Sequence, residues 1–319
     1  MRIFTIAYNT FIEVIRQPIY LIIATCGLVL VLLSPQFTMF AMLENHKLIK
    51  DMGLATIWLT GILLAAFSAS HVIYHEIENK TILTILTKPV SRVSFILGKF
   101  LGLLTSIWVA QYILTIVLLQ LVRTEITEAA YSDTDYPVIL GYIFSIGFCL
   151  LMAGFMNFFY DRPFMSTTVL CAIPTFTMMF FVLCLVSPNW KLQVSWDILD
   201  VKIFQAALLI FLATTIMAGV ATAVSTRIPP LPCLFICMFV FLFGLFSDYL
   251  FGKNIEQSWL IKLCYYIIPN LQIYWVIDVV WTDRTIPWDY LQYVVGYTFF
   301  MLACFLSLAF ILFQERETA

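Results

Sequence analysis

The sequence predicts an all-α, polytopic membrane protein that forms a single transmembrane domain over residues 1–319. Three observations carry this prediction. Of the 319 residues, 62% are hydrophobic and only 11% are charged, whereas a soluble domain is near half apolar and a quarter charged. The apolar residues gather into runs of about 20 or more, the length that crosses a bilayer as a helix. The charged residues gather in the stretches between those runs. A net charge of −2 leaves no electrostatic footprint for nucleic acid.

The first element is residues 1–17. Arg2, Thr5, Asn9, Glu13 and Arg16 recur every three or four residues, with Ile3, Phe4, Ile6, Phe11, Ile12, Val14 and Ile15 between them. That spacing predicts an amphipathic helix lying in the membrane plane and stopped by Pro18. A cleaved secretory signal would instead be continuously apolar and end in small residues.

Eight runs then qualify as spans, roughly 19–43, 54–74, 94–121, 138–159, 164–186, 203–224, 231–250 and 290–313. Pro35 and Pro174 fall within runs, which spanning helices tolerate when neighbours satisfy the freed carbonyls. Residues 251–289 form an aromatic segment. Its portion 255–285 is broken by Pro269, Asn270 and Gln272 and reads as two short interfacial helices, with a membrane-spanning reading left open.

Basic residues set the expected orientation. With the N-terminus inside, nine Lys and Arg fall on inner segments and eight on outer ones, and the inner segments are the shorter. The density of positive charge therefore places both termini on the cytoplasmic side, and the expected location is a cytoplasmic (inner) membrane. A faint internal echo accompanies this: Gly154 and Arg162 align with Gly219 and Arg227 at a common offset, each Arg in a tight turn between spans.

Seven of the eight cysteines (Cys26, Cys149, Cys171, Cys184, Cys233, Cys237 and Cys304) lie within apolar runs and read as small packing residues. His71 and His75 are one helical turn apart with Glu76 beside them, a spacing that metal ligands use. The order is HxxxHE rather than the HExxH of zinc proteases, and the third histidine, His46, is expected on the opposite side. A structural or interface role is the main reading of the pair, with an intramembrane metalloenzyme as the alternative.

Residues 75–92 form the first inner loop, YHEIENKTILTILTKPVSR with its flanking Tyr. Within it, residues 76–88 suit a helix. Glu76 and Glu78 sit where the helix dipole favours anions, Lys88 lies at the other end, and Pro89 stops it. At about 20 Å it is too short to span. Ile82, Ile85 and Leu86 make an apolar stripe that needs a surface to dock on.

The string EIENKTILTILTKPVSRVSFILGK resembles the first cytoplasmic loop of type-2 ABC exporter permeases: acidic residues, a Leu-rich helix, Pro, Ser-Arg, then Gly-Lys opening the third span. Glu76, Glu78, Thr81, Leu83, Leu86, Pro89, Ser91, Arg92, Gly98 and Lys99 occupy those places. In that family the loop is the coupling helix, seated in a groove of an ATPase subunit, and the interfacial N-terminal helix is the elbow helix. PNLQIYWVID at 269–278 also resembles a late extracellular segment of related permeases. The chain departs from the pattern at Lys80, where the family has Gly, and in its eight expected spans against the usual six.

The resemblance implies that Glu76, Glu78, Thr81, Ile82, Ile85, Leu86, Pro89 and Arg92 couple the chain to an ABC ATPase. It implies a homodimer or heterodimer of permeases in membrane lipid, with ATP and Mg on the partner ATPase and no cofactor, metal or catalytic residue on this chain. No GxxxxGK[ST] phosphate loop occurs in the sequence. The apolar runs also lack Asp, Glu, Lys and Arg away from their ends, which argues against an ion-coupled carrier. Gln111, Asn157 and Gln205 lie within runs and suit either a path or interhelical hydrogen bonds. The expected function is the permease subunit of an exporter of unknown substrate. The alternative from another class is a non-transporting membrane scaffold or mechanotransmitter driven by the same ATPase.

Overall fold

The computed structural model describes residues 2–38, 45–78, 91–131, 135–192, 200–254, 258–281 and 286–317. They are almost wholly helical: α1 Arg2–Ile15, α2 Pro18–Thr38, α3 Asn45–Ala69, α4 His75–Glu78, α5 Arg92–Tyr131, α6 Tyr136–Tyr160, α7 Phe164–Leu185, α8 Val201–Ser225, α9 Pro230–Leu245, α10 Ser247–Leu250, α11 Trp259–Ile267, α12 Ile277–Trp281 and α13 Trp288–Glu317. A π-helical turn, Ser70–Tyr74, joins α3 to α4. The only β-pairing among the described residues is an isolated bridge between Val186 and Leu192.

Among the described residues, seven helices are long and apolar enough to cross a membrane, or eight if one bent pair counts as a span. This is a multi-pass membrane protein. The helices end where local chemistry ends them. Pro18 starts α2 rather than extending α1, because proline lacks the N–H that the helix interior needs. Asp135 caps α6, its Oδ1 accepting from the Val138 N–H at 3.4 Å. Asp161 closes the same helix in the left-handed region, at φ 52°.

Two expected elements differ from the sequence reading. The run at 231–250 is not one continuous helix: α9 holds 16 residues, about 24 Å, and the chain then breaks at Phe246 into the short α10. The reason is a backbone approach at Gly244, where an added Cβ would lie 2.7 Å from the Pro269 carbonyl and the Leu271 N–H donates to the Gly244 carbonyl at 3.0 Å. The stretch 255–285 does contain two short helices, and residues Ile261–Ile267 and Gln272–Val280 meet at a 42° bend. The span expected at 94–121 also continues well beyond it, since α5 is 40 residues long.

The chain packs as two compact units, to both of which α3, α5 and α8 contribute. One comprises Met1–Val14, Gly61–Ile107 and Leu208–Ala319. Its core includes Phe95, Ile96, Ala223, Ala309 and Phe313, with the Phe95 and Phe313 rings stacked at 5.9 Å. The other comprises Ile15–Thr60 and Trp108–Ala207. There Trp58, Ile57, Leu54 and Leu114 are fully buried. Polar side chains inside this second unit bind neighbouring helices: Gln111 Nε2 donates to the Ile57 carbonyl at 3.4 Å, and the Tyr142 hydroxyl to the Val117 carbonyl at 3.1 Å. Asn157 instead donates across the turn after α6, to the Arg162 carbonyl at 2.8 Å.

Candidate functional site

The first compact unit gathers three ionisable groups from sequence-distant elements around the start of the segment singled out above. Two glycines make this possible. Gly98 and Gly102 lie one helical turn apart on α5, and α1 is pressed against them. An added Cβ at Gly98 would fall 2.7 Å from Ile6 Cγ2, and one at Gly102 would fall 2.6 Å from Thr10 Cβ and closer still to the Ala7 carbonyl. The stripe Ile3, Ile6, Ala7 and Thr10 thus faces protein. Phe4 and Tyr8, also on α1, are exposed.

This approach brings Glu13 to Lys99. The Lys99 ammonium donates to Glu13 Oε2 at 3.1 Å and to Glu76 Oε1 at 2.7 Å. Its own side chain is 6% exposed, against 38% for Glu13 and 21% for Glu76. The Phe95 ring lies 5.9 Å from the ammonium, a contact that favours a cation. One lysine therefore ties α1, α4 and α5 together at a largely buried point. Among the described residues the cluster sets two carboxylates on one ammonium. Burial pushes the Glu76 carboxyl above the ordinary value of 4.5, Lys99 opposes this by its charge and hydrogen bond, and Glu13 adds repulsion.

Glu76 is thus held at the base of the loop by Lys99. Glu78 is exposed, with a carboxylate oxygen 3.8 Å from His75 Nδ1. His71 and His75 are both exposed, their ring centroids 5.1 Å apart. Among the described residues no group of three or more His, Cys, Asp or Glu side chains is arranged to hold a metal ion. Arg92 is exposed in the first turn of α5, where the Ser91 hydroxyl accepts from the Ser94 N–H at 3.3 Å. Thr81, Ile82, Ile85, Leu86 and Pro89 lie outside the described residues.

Glu13 and Lys99 are the site residues that loop-centred reasoning did not pick out. Lys99 matched the Gly-Lys of the motif, and Glu13 stood on the polar face of the first helix, but nothing in the spacing paired them. The available signal was the Gly98–Gly102 spacing, which marks a face open to close helix approach.

The π-helical turn at Ser70–Tyr74 lies immediately before this cluster. π-bulges rotate the helix they interrupt and recur at functional sites. Here the turn precedes the short helix that presents Glu76. Chemically, the arrangement anchors the loop's start to α1 and α5 by charge.

No protein-family model matches the chain, and no curated protein matches it. The fold defines a class, the multi-pass helical membrane protein, and the function is read from the site.

Proposed function

We propose that the chain is the transmembrane permease subunit of an ATP-binding-cassette exporter. The observation that carries this reading is the junction at Lys99. The string from Glu76 to Lys99 resembles the coupling loop of type-2 exporter permeases; its first and last residues are joined to each other, and Lys99 also holds Glu13 of α1. A loop that transmits force needs a fixed base, and a buried ammonium holding two carboxylates supplies one. In this reading α1 is the elbow helix, with Phe4 and Tyr8 at headgroup level, and residues 76–88 dock on a separate ATPase through Ile82, Ile85 and Leu86.

ATP binding closes a pair of ATPase subunits, and the docked loops of two permeases, identical or different, carry the motion to the spans. The bias comes from the different affinities of the two conformations for ATP. The protein sits in a cytoplasmic membrane with both termini inside. That arrangement needs an even number of crossings: seven long helices supply seven, and α9 or the bent pair completes the count. Labelling a single Cys at Ser91 with an impermeant reagent tests the side, and labelling from outside overturns the orientation.

The functional test is Leu86→Asp. An unpaired carboxylate in the docked surface is costly, so the variant should insert normally yet fail to co-purify with the ATPase or lose transport-linked hydrolysis. Retention of both at wild-type levels refutes the docking. A second reading, a scaffold driven by the same ATPase, draws on the polar aromatic network of the first unit. There Asp248 accepts from Tyr265 at 2.9 Å and Asn270 at 3.0 Å, and the Asn270 N–H donates to Tyr297 at 2.8 Å. Stimulation of hydrolysis by a translocated compound favours the exporter over the scaffold.

A further inference from the structure

The second compact unit contains a cavity of about 120 Å³, partly open, walled by α2, α5, α6 and α7. Tyr20, Ala24 and Leu28 line it from successive turns of α2, and Leu114, Leu150 and Ala172 face them. Its walls offer almost nothing polar. The two threonine hydroxyls at its edge are spent on their own helices: Thr25 Oγ1 lies 2.8 Å from the Leu21 carbonyl, and Thr168 Oγ1 donates to the Phe164 carbonyl at 2.9 Å. Water in a buried site needs two to four polar partners, so this space has no use for it.

An apolar void of this size is the kind that takes a small hydrocarbon. The surroundings say which. Only 22% of the α2 span is buried, and Ile22, Val29, Leu30 and Leu33 are exposed on it. In a multi-pass protein such a face meets acyl chains, and the cavity lies behind the same helix. Close-packed interiors do not leave room of this size unfilled when a matching solvent is adjacent.

We propose that this cavity is a lipid site that holds the methyl end of an acyl chain from a bilayer phospholipid, about five or six carbons deep on the scale of the benzene-sized cavities known in proteins. The inference rests on the membrane fold alone and is independent of the exporter reading. The headgroup stays outside, since no charged side chain lines the space.

The test is photo-crosslinking in reconstituted vesicles with a phosphatidylethanolamine bearing a diazirine at its acyl terminus, mapped by peptide mass spectrometry. Label should appear on the cavity-lining Tyr20, Ala24, Leu28, Ala110, Leu114 and Ala172 as well as on the exposed Leu151 and Phe158. Moving the diazirine beside the ester should cut the interior label at least fivefold. Ala110→Leu and Ala172→Leu, which fill the space, should remove the interior label and leave Leu151 and Phe158 labelled. Leu114→Ala, which enlarges it, should raise the interior label and serves if a filling variant fails to fold. Interior label absent in the wild type, or unchanged in the variants, overturns the proposal. Interior label from a headgroup-free alkyl diazirine but not from the phospholipid also overturns it, assigning the cavity to a single-chain solute.

Discussion

Two buried cations, Lys99 in one unit and Arg123 in the other, show how differently one membrane protein uses a charge. Arg123 is 6% exposed and its partner Asp135 is fully buried. Its Nε donates to Asp135 Oδ2 at 2.9 Å, Nη2 to the Val186 carbonyl at 2.7 Å, and Nη1 to the Leu183 carbonyl. The guanidinium fork thus serves one carboxylate and the unsatisfied carbonyls at the end of α7. Lys99 holds two carboxylates with a compact ammonium, and both of those carboxylates are partly exposed. The first site spends three guanidinium donors on one carboxylate and two carbonyls. The second sets two carboxylates on one ammonium among the described residues and has a carboxyl with a raised pKa. The difference teaches that a planar fork locks carbonyls in place, whereas a point charge on a flexible stem gathers elements that can still be adjusted.

The comparison breaks most sharply at Arg123. Arg123→Met should leave Asp135 buried without its cation and cost about 3–5 kcal/mol, the usual scale for breaking a buried pair. Arg123→Lys should recover little of it, because an ammonium cannot serve three acceptors in the fork's geometry. Thermal unfolding in detergent, or the yield of monodisperse protein, measures both. Full recovery by lysine would erase the distinction drawn between the two cations.

A somewhat smaller effect is expected at the glycine that lets Lys99 reach α1. Gly102→Ala forces α1 away from α5, for about 1–3 kcal/mol of overpacking. Gly147→Ala is the control, since an added Cβ there meets nothing within 4 Å. Equal melting temperatures for the two variants would show that α1 is not held where the cluster needs it.

Removing the Lys99 charge should matter less than removing Arg123, because the Glu13 and Glu76 side chains are 38% and 21% exposed whereas Asp135 is fully buried. Lys99→Met is expected to cost about 1–3 kcal/mol. Adding Glu76→Gln should restore part of that, since one of the two stranded charges is gone. A double-mutant cycle gives the coupling, and strict additivity would show that Lys99 and Glu76 act independently.

The smallest effect is pH-dependent. The Glu76 carboxyl is raised in the folded chain, so folding favours its protonated form. Its contribution is therefore fully present below the ordinary value of 4.5 and is lost as pH rises through the raised value. Glu76→Gln should flatten that part of the stability profile and be the more stable variant, relative to wild type, at the upper end of the window. A profile parallel to wild type's throughout would remove the asymmetry assigned to this cluster.

These sites also separate what patterning reveals from what it hides. The helix boundary at Pro18 was readable, because a proline acts on its own few residues. The run at 231–250 read as one unbroken helix because it is apolar throughout, and the contact that ends α9 inside it comes from Pro269 and Leu271. Arg123 and Asp135 read as residues of an outer loop. They are buried only because α5 runs on past the apolar run and meets the end of α7.

Sequence alone determined that this chain is helical, crosses a membrane several times and carries a short charged segment after its third helix. Those properties depend on residue composition and on a period of 3.6, both local. Tertiary structure decided which charges meet. Glu13 and Lys99 are 86 residues apart, and Arg123 reaches a carbonyl 63 residues away. Such pairings depend on how closely two helices approach, which here turns on whether Gly98 and Gly102 meet a neighbour or a lipid, and no local pattern encodes that.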